Sequence, residues 1–425
     1  VGWQDAFVDG LKIVFLAECG FPCQKGIPTF AIGLAAFDLR AMKSPFSSDF
    51  TLGILGGGQL GKMLLQETSR MDIRTAVLDP SADAPCAHRA ELFVQGNLQD
   101  KETVLAFGRR CNVVTIEIEH VNVEALEILE REGITVAPSS KLLKVIQNKR
   151  LQKEFYRDQR IPTAPFFSFA NLAALREMPL SYPCVYKSAL HGYDGRGVSI
   201  LRQASDLNLL NEGPGIIEAF VENAKEISVM VSRNAQGKTA VYDPVEMEFH
   251  PTANLVEFLF SPSTLSEREV DEAKRIALKV ADSFGLVGLL AVEMFVRPDG
   301  MILVNESAPR PHNSGHHTIE SNYTSQYEQH LRAVLGLPPG SVRTKSAAVM
   351  INILGEPGHS GPVEYRGISE VMGQEGVYVH IYGKKETRPF RKMGHVTIIA
   401  EDLEIARKRA IFVRDHLKAE TCKNL

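Results

Sequence analysis

The sequence runs to 425 residues, of which 44% are hydrophobic and 23% charged, enough chain for two or three domains with substantial cores. A formal net charge of -4 leaves no electrostatic footprint for nucleic acid, and no apolar run reaches the roughly 18 residues of a membrane-spanning helix. Six scattered cysteines, Cys19, Cys23, Cys86, Cys111, Cys184 and Cys422, form no Cys-x-x-Cys pair, which argues against a zinc site or a disulfide framework and for buried thiols in a reducing compartment.

Residues 1–50 open on Val1, hold two of the six cysteines and show no strong periodicity before Met42. They read as an N-terminal extension, either a targeting segment or an artefact. Order begins at Thr51. Residues 52–55 make a short buried-type strand, Gly56, Gly57, Gly58, Gln59, Leu60 and Gly61 open a helix to about Met71, and residues 74–78 make a second strand ending at Asp79. Gly56, Gly58 and Gly61 with an acidic residue some twenty positions on fit a dinucleotide fingerprint, but the pattern alone says only that amides at a helix N-terminus can approach an anion. Another strand at 113–118, ending in Glu117, Glu119 and His120, and a helix at 123–131 complete a Rossmann-like domain over 51–140.

From Ser139 the pattern is helical through 141–157 until Ile161-Pro162-Thr163-Ala164-Pro165 breaks it. A strand at 182–188 carries Lys187 near its end. His191, Gly192, Tyr193, Asp194, Gly195, Arg196 and Gly197 follow, then a returning strand at 198–201. A lysine on a strand beside a glycine-rich loop suits a flap over a triphosphate, and a tight turn is the plainer alternative. Glu226, opening a strand at 226–231, is placed either to accept two ribose hydroxyls or to make a surface ion pair. Ser266 and Glu269 form a capping box for a helix at 266–284 that Gly285 stops.

The segment around which the chain is arranged follows. Residues 290–296 and 301–304 are apolar and β-prone about an Arg-Pro-Asp-Gly turn. With Pro298 and Asp299 central, Glu293 lies opposite Val304, and Glu306 is its diagonal neighbour on the same face, at about 7–8 Å. Two carboxylates so placed suit one or two hard cations whose remaining ligands are phosphates; a solvated pair on an outer face is the alternative. Arg310, His312, Asn313, His316 and His317, stiffened by Pro309 and Pro311, suit a small oxyanion beside that metal. A helix at 325–335, strands at 349–354, 377–382 and 396–400, and a helix at 403–417 close the chain around a basic loop, Lys384, Lys385, Arg388, Arg391 and Lys392, either solvated or a phosphate clamp.

In this order the pieces resemble the ATP-grasp superfamily, and the runs GGGQLGKM (56–63), GYDGRG (192–197), NESAPRPHNSGHHT (305–318), TSQYEQHLRA (324–333) and RKMGH (391–395) resemble the 5-(carboxyamino)imidazole ribonucleotide synthetase family of purine biosynthesis. The resemblance covers about 51–415 and implies an ATP-grasp fold, α/β and α+β. Its parts would be a Rossmann-like pre-ATP-grasp domain at 51–140, an ATP-grasp domain at 141–340 with a flap subdomain near 160–225, and a small β-rich domain at 341–425. It implies ATP- and bicarbonate-dependent carboxylation of 5-aminoimidazole ribonucleotide through carboxyphosphate, with Mg²⁺ or Mn²⁺. Lys149 and Lys187 would contact ATP, the flap from His191 to Gly197 would cover its phosphates, Glu218, Ala219, Phe220 and Val221 would hold adenine and Glu226 the ribose. Glu293 and Glu306 would hold the metal; Asn305 falls on the opposite face of a regular strand, so its place beside them needs a bulge or backbone contacts. Arg310, His312 and Asn313 would hold bicarbonate, and Tyr193 and Asp194 would face the imidazole amine, with Asp194 removing its proton. Lys384, Arg391 and Lys392 would take the ribonucleotide phosphate, helped by amides near Gln59 and Leu60.

The resemblance further implies a homodimer, cytoplasmic or plastid, and a carboxylase (mutase) domain fused to it or acting separately, of which a longer chain would be the whole. Met247, where the family often has Asn, and Lys149, where Arg is common, depart from the pattern. Another ATP-grasp ligase such as formate-dependent glycinamide ribonucleotide formyltransferase, an NAD-dependent oxidoreductase and a non-catalytic nucleotide-binding subunit remain as alternatives.

Overall fold

The structure is a computed structural model that describes residues 6–8, 11–13, 43–190, 197–250 and 255–422. In the unit formed by residues 1–38, Ala6–Val8 and Leu11–Ile13 pair as an antiparallel hairpin, so the extension carries strand structure that its weak periodicity did not announce. The rest of the expectations for residues 1–42 lie outside the described residues.

The unit from residue 39 onward begins with five parallel strands in the order Leu92–Gln95, Thr75–Asp79, Leu52–Leu55, Val113–Ile116, Thr135–Val136. The central pair is buried at every position, as a parallel sheet flanked by helices requires. Chain order reverses between Leu52–Leu55 and Val113–Ile116, and ligands of open α/β sheets bind beyond the carboxyl ends of strands at such a switch point. Phe50, at the end of the presumed extension, is 1% exposed and packs in this core.

The predicted helix over 141–157 is two helices, Ser140–Ile146 and Lys149–Asp158. Asn148 breaks it: its side chain accepts from the amides of Arg150 (3.0 Å) and Leu151 (3.2 Å), a side-chain cap that competes with continued helix. The break sets Lys149 at a helix start, where its amide donates to the Ala189 carbonyl beside the flap. The flap subdomain is a four-stranded antiparallel sheet, Val198–Leu201, Cys184–Ser188, Gly215–Ala219, Phe166–Phe169.

A single antiparallel sheet runs through what the sequence presents as separate ATP-grasp and C-terminal domains. Its order is Ile302–Ala308, Gly288–Val296, Lys225–Arg233, Val245–Phe249, Val256–Ser261, Ala347–Leu354, Lys392–Ala400, Val377–Ile381, with Thr239–Val241 added beside Lys225–Arg233. The join is the pairing of Phe258 with Ile351 and of Phe260 with Val349. Helix Glu267–Ser283, capped by Ser266 and Glu269 as the sequence predicts, lays Ala273, Ile276, Ala277 and Val280 on one part of the sheet, and Leu403–His416 covers the other with Ala406, Ala410 and Val413.

Candidate active site

The hairpin of Gly288–Val296 and Ile302–Ala308 sets the geometry. Its loop closes with Gly300 N–H donating to the Arg297 carbonyl (2.9 Å) and Arg297 N–H to the Met301 carbonyl (2.9 Å), Gly300 lying at φ +81. This left-handed residue adds one position to the turn, and a bulge between Glu293 and Met294 that leaves Asn305 unpaired adds another. The expected register, Glu293 opposite Val304, is therefore corrected: Met294 faces Val304, and Glu293 stands directly across from Glu306. The same bulge brings Asn305 into the site, where its Oδ1 accepts from Lys187 Nζ at 2.7 Å.

Cations and carboxylates alternate around this pair. Lys149 forms an ion pair with Glu306. Lys187 also reaches Glu218 Oε1 at 3.1 Å, and Glu218 Oε2 lies 3.2 Å from Lys153 Nζ. Glu218 is 2% exposed, its side chain held between the two lysines, and the chain continues into exposed Ala219 and Phe220 and half-buried Val221. Burial would raise the Glu306 carboxyl, but Lys149, Lys187 and His312 outweigh it and hold the group well below its usual range. Glu293 has the opposite fate: burial, then the neighbouring Glu306 and Glu226, push it up. Glu226, two residues from Ser228, which pairs with Glu293, is raised by burial to about 7.

The central loop closes over this face. His312 Nε2 lies 3.7 Å from Glu293 Oε1, and its Nδ1 is 2.9 Å from Ser314 Oγ, which is 2.8 Å from Ser228 Oγ. Arg310 Nε pairs with Glu119 Oε1 at 2.8 Å. Asn313 Nδ2 donates to Asn352 Oδ1 at 2.8 Å, tying the loop to the C-terminal strands. From those strands Lys384 Nζ donates to the Lys392 carbonyl (2.6 Å) and Arg391 Nη1 to the Glu386 carbonyl (2.6 Å), while the charge of Lys392 is felt at Glu293.

The first glycine loop differs from expectation. Glu117, partly buried just past the end of its strand, accepts from the amides of Gly58 (3.0 Å), Leu60 (3.1 Å) and Gly61 (3.0 Å), and Asp79 accepts from Gly57 (2.7 Å). Carboxylates of the chain itself thus occupy the amides of Gly57, Gly58, Leu60 and Gly61, which corrects the expectation that the Leu60 amide helps hold the ribonucleotide phosphate; the Gln59 amide is not among these four. Burial raises the Glu117 carboxyl and these amides oppose it.

Lys149, Lys187, Glu218, Glu226, Glu293, Asn305, Glu306 and His312 thus come together at one place, with Gly197 at the edge of the flap, φ +73, while Lys384 and Arg391 bond within their own loop. His191, Gly192, Tyr193, Asp194, Gly195 and Arg196 lie outside the described residues. Sequence reasoning missed Lys153, Glu119, Ser228 and Asn352. Only Glu119 carried a signal, its two-residue spacing from Glu117 at a strand end pointing at the switch crevice.

A flap sheet over a hairpin with facing carboxylates, preceded by a parallel sheet, defines an ATP-grasp ligase. Family models match in the same order: a ribonucleotide synthetase preATP-grasp domain at residues 50–147, an ATP-grasp domain at 154–327 and a phosphoribosylaminoimidazole carboxylase C-terminal domain at 348–409. The chloroplastic phosphoribosylaminoimidazole carboxylase of Vigna aconitifolia is 36% identical over 89% of this chain and 70% of its own length. The N5-carboxyaminoimidazole ribonucleotide synthase of Bacillus subtilis is 34% identical over 82% of this chain and 91% of its own. Among solved structures, the Thermotoga maritima N5-carboxyaminoimidazole ribonucleotide synthetase superposes with a TM-score of 0.81 at 39% identity, covering 88% of this chain and 100% of that one. The Aspergillus clavatus synthase bound to ADP and 5-aminoimidazole ribonucleotide gives 0.78 at 31%, covering 86% and 98%. The chain belongs to the N5-carboxyaminoimidazole ribonucleotide synthetase family.

Proposed function

We propose that the chain uses ATP and bicarbonate to carboxylate the exocyclic amine of 5-aminoimidazole ribonucleotide, releasing ADP and phosphate. The γ-phosphoryl group passes to a bicarbonate oxygen with loss of ADP. The carboxyphosphate so formed releases phosphate and CO₂, and the amine takes up the CO₂ as its proton leaves. The observation that carries this reading is the facing of Glu293 and Glu306 across the Asn305 bulge, between the lysines and the Arg310–His312–Asn313 loop. Lys149 and Lys187 neutralise phosphate charge, the hinge from Glu218 to Val221 holds adenine through its backbone, and Glu226 accepts the ribose hydroxyls. Arg310 and Asn313 orient bicarbonate next to His312, the Tyr193–Asp194 pair handles the amine, and Lys384, Arg391 and Lys392 take the ribonucleotide phosphate near Gln59.

The donor set fits Mg²⁺ or Mn²⁺: two hard oxygen donors face each other across the hairpin, which suits a metal that takes its other ligands from phosphate and water. Bound there, it would neutralise charge between the β- and γ-phosphates.

ADP release should need Mg²⁺ and bicarbonate and rise strongly with 5-aminoimidazole ribonucleotide. Stimulation by glycinamide ribonucleotide with formate instead would move the assignment to the formylating class. We further propose a homodimer, which sedimentation velocity tests. Bicarbonate use is read directly by omitting it from degassed assays. No described helix is long and apolar enough to cross a membrane. We place the chain in the cytoplasm, or in a plastid as in the Vigna relative, and fusion of residues 1–50 to a fluorescent protein distinguishes the two.

A further inference from the structure

Between the anion loop and the basic loop lies a buried chain of side chains to which the mechanism above assigns nothing. Gln326 Oε1 accepts from the His312 amide at 2.8 Å, and its Nε2 donates to the His312 carbonyl (2.8 Å) and to His316 Nδ1 (3.0 Å), so both N–H donors of that amide are used. Tyr327 Oη lies 3.0 Å from the same His316 nitrogen. His316 then packs on His395, ring centroids 4.5 Å apart, and His395 on His380 at 4.3 Å. Tyr382 Oη is 3.1 Å from His395 Nδ1, and its ring lies beneath Lys384 Nζ, 5.5 Å from the centroid. Gln326, His316 and His395 are wholly buried. Gly315 is needed beside them, since a Cβ there would fall 2.4 Å from Gln326 Oε1. Burial holds both imidazoles neutral.

Two neutral rings in contact, their planes tilted by 32°, are a poor charge relay and a good spacer. Packed aromatic faces tied by these hydrogen bonds admit few alternative arrangements, although Nε2 of His316 and of His395 are each buried without a hydrogen-bond partner. The two ends of the spacer are His312, in the loop assigned to bicarbonate, and Lys384, in the loop assigned to the ribonucleotide phosphate.

We propose that Gln326, His316, His395 and Tyr382 are positioning residues that fix Lys384 relative to His312, and so set where the ribonucleotide's amine sits with respect to the carboxyl donor. This rests on the reading under Proposed function. The distinguishing variant is Tyr382→Phe, which removes only the hydroxyl link and keeps the ring under Lys384; His395→Phe keeps the stack and removes the acceptor. ADP release is measured with 5-aminoimidazole ribonucleotide, ATP and bicarbonate varied one at a time, alongside thermal unfolding.

Each single variant should raise KM for the ribonucleotide about tenfold, the order expected when a buried hydrogen bond is unmade. KM for ATP should stay within about twofold of the parent, and the double variant should be little worse than either single, because both cut one link. Unchanged ribonucleotide KM in both singles, or ribonucleotide and ATP KM rising in parallel with a fall in thermal midpoint, would overturn the proposal. Parent enzyme that shows no stimulation by the ribonucleotide would instead overturn the functional reading, and Lys384→Met, which should raise ribonucleotide KM by itself, separates a failed clamp from a failed spacer.

Discussion

Glu306 and Glu293 have the same chemistry and opposite charge states. Glu306 is held ionised by Lys149 and Lys187, while Glu293, buried beside Glu306 and Glu226, favours its proton. A divalent cation must displace that proton, so metal binding should tighten as pH rises and should release protons, which calorimetry in buffers of different ionisation enthalpy reads directly. Metal affinity independent of pH would contradict the pairing. Glu306→Gln keeps the shape and removes the charge. It should lower kcat at least 100-fold while circular dichroism stays unchanged, and near-parental turnover would discredit the metal assignment.

Glu226 gives the clearest pH signature. Its carboxyl is raised from 4.5 to about 7 by burial, so the nucleotide-free fold binds this proton more tightly than the unfolded chain does. The resulting stability is present in full below pH 4.5 and is lost as pH rises through about 7. Across that window the loss is on the order of 3 kcal/mol. Glu226→Gln should flatten the dependence, leaving the variant more stable than the parent at pH 8. Thermal melts from pH 5 to 8 check this, and parallel slopes for the two proteins would refute it.

At the scale of elements, two small insertions do most of the positioning. Gly300 and the Asn305 bulge together shift the hairpin by two residues, and so put Glu306 across from Glu293. The carboxylates were visible in the sequence because alternation places both on one face. The shift was not, since a bulge depends on pairing with a second strand and leaves no composition signal of its own. Helix Glu267–Ser283 was readable to its caps, because a Ser-x-x-Glu box is a local interaction. The break at Asn148 was overlooked even though Asn is a strong cap, as the apolar spacing runs on across it. Asn148→Ala should cost about 1 kcal/mol, as cap removal does elsewhere. It should also raise KM for ATP by loosening Lys149; chemical denaturation and kinetics on one preparation test both halves of that claim.

Over the whole molecule, the order of domains was readable from the sequence words, whereas their continuity was not. The sheet running from Ile302–Ala308 to Val377–Ile381 crosses the expected boundary near residue 341, and the strand Val256–Ser261 that makes the join went unread in the sequence. The first sheet is likewise keyed to the rest: His330 Nε2 lies 2.9 Å from Thr115 Oγ1, and Tyr327 and Leu331 pack with Leu60 and Met63 in one core. Long-range pairing of this kind is the part of a fold that local patterns do not encode. The glycine loop makes the same point, since its amides resemble an anion site until Glu117, some sixty positions on, is seen to fill it.

The most direct test of the central claim is ADP release by the full chain, with Mg²⁺ and ATP saturating and bicarbonate and 5-aminoimidazole ribonucleotide added separately and together. The account predicts slow bicarbonate-dependent hydrolysis that the ribonucleotide accelerates severalfold or more, and loss of both rates in Glu306→Gln. Hydrolysis indifferent to bicarbonate and to the ribonucleotide, or undiminished in that variant, would contradict it.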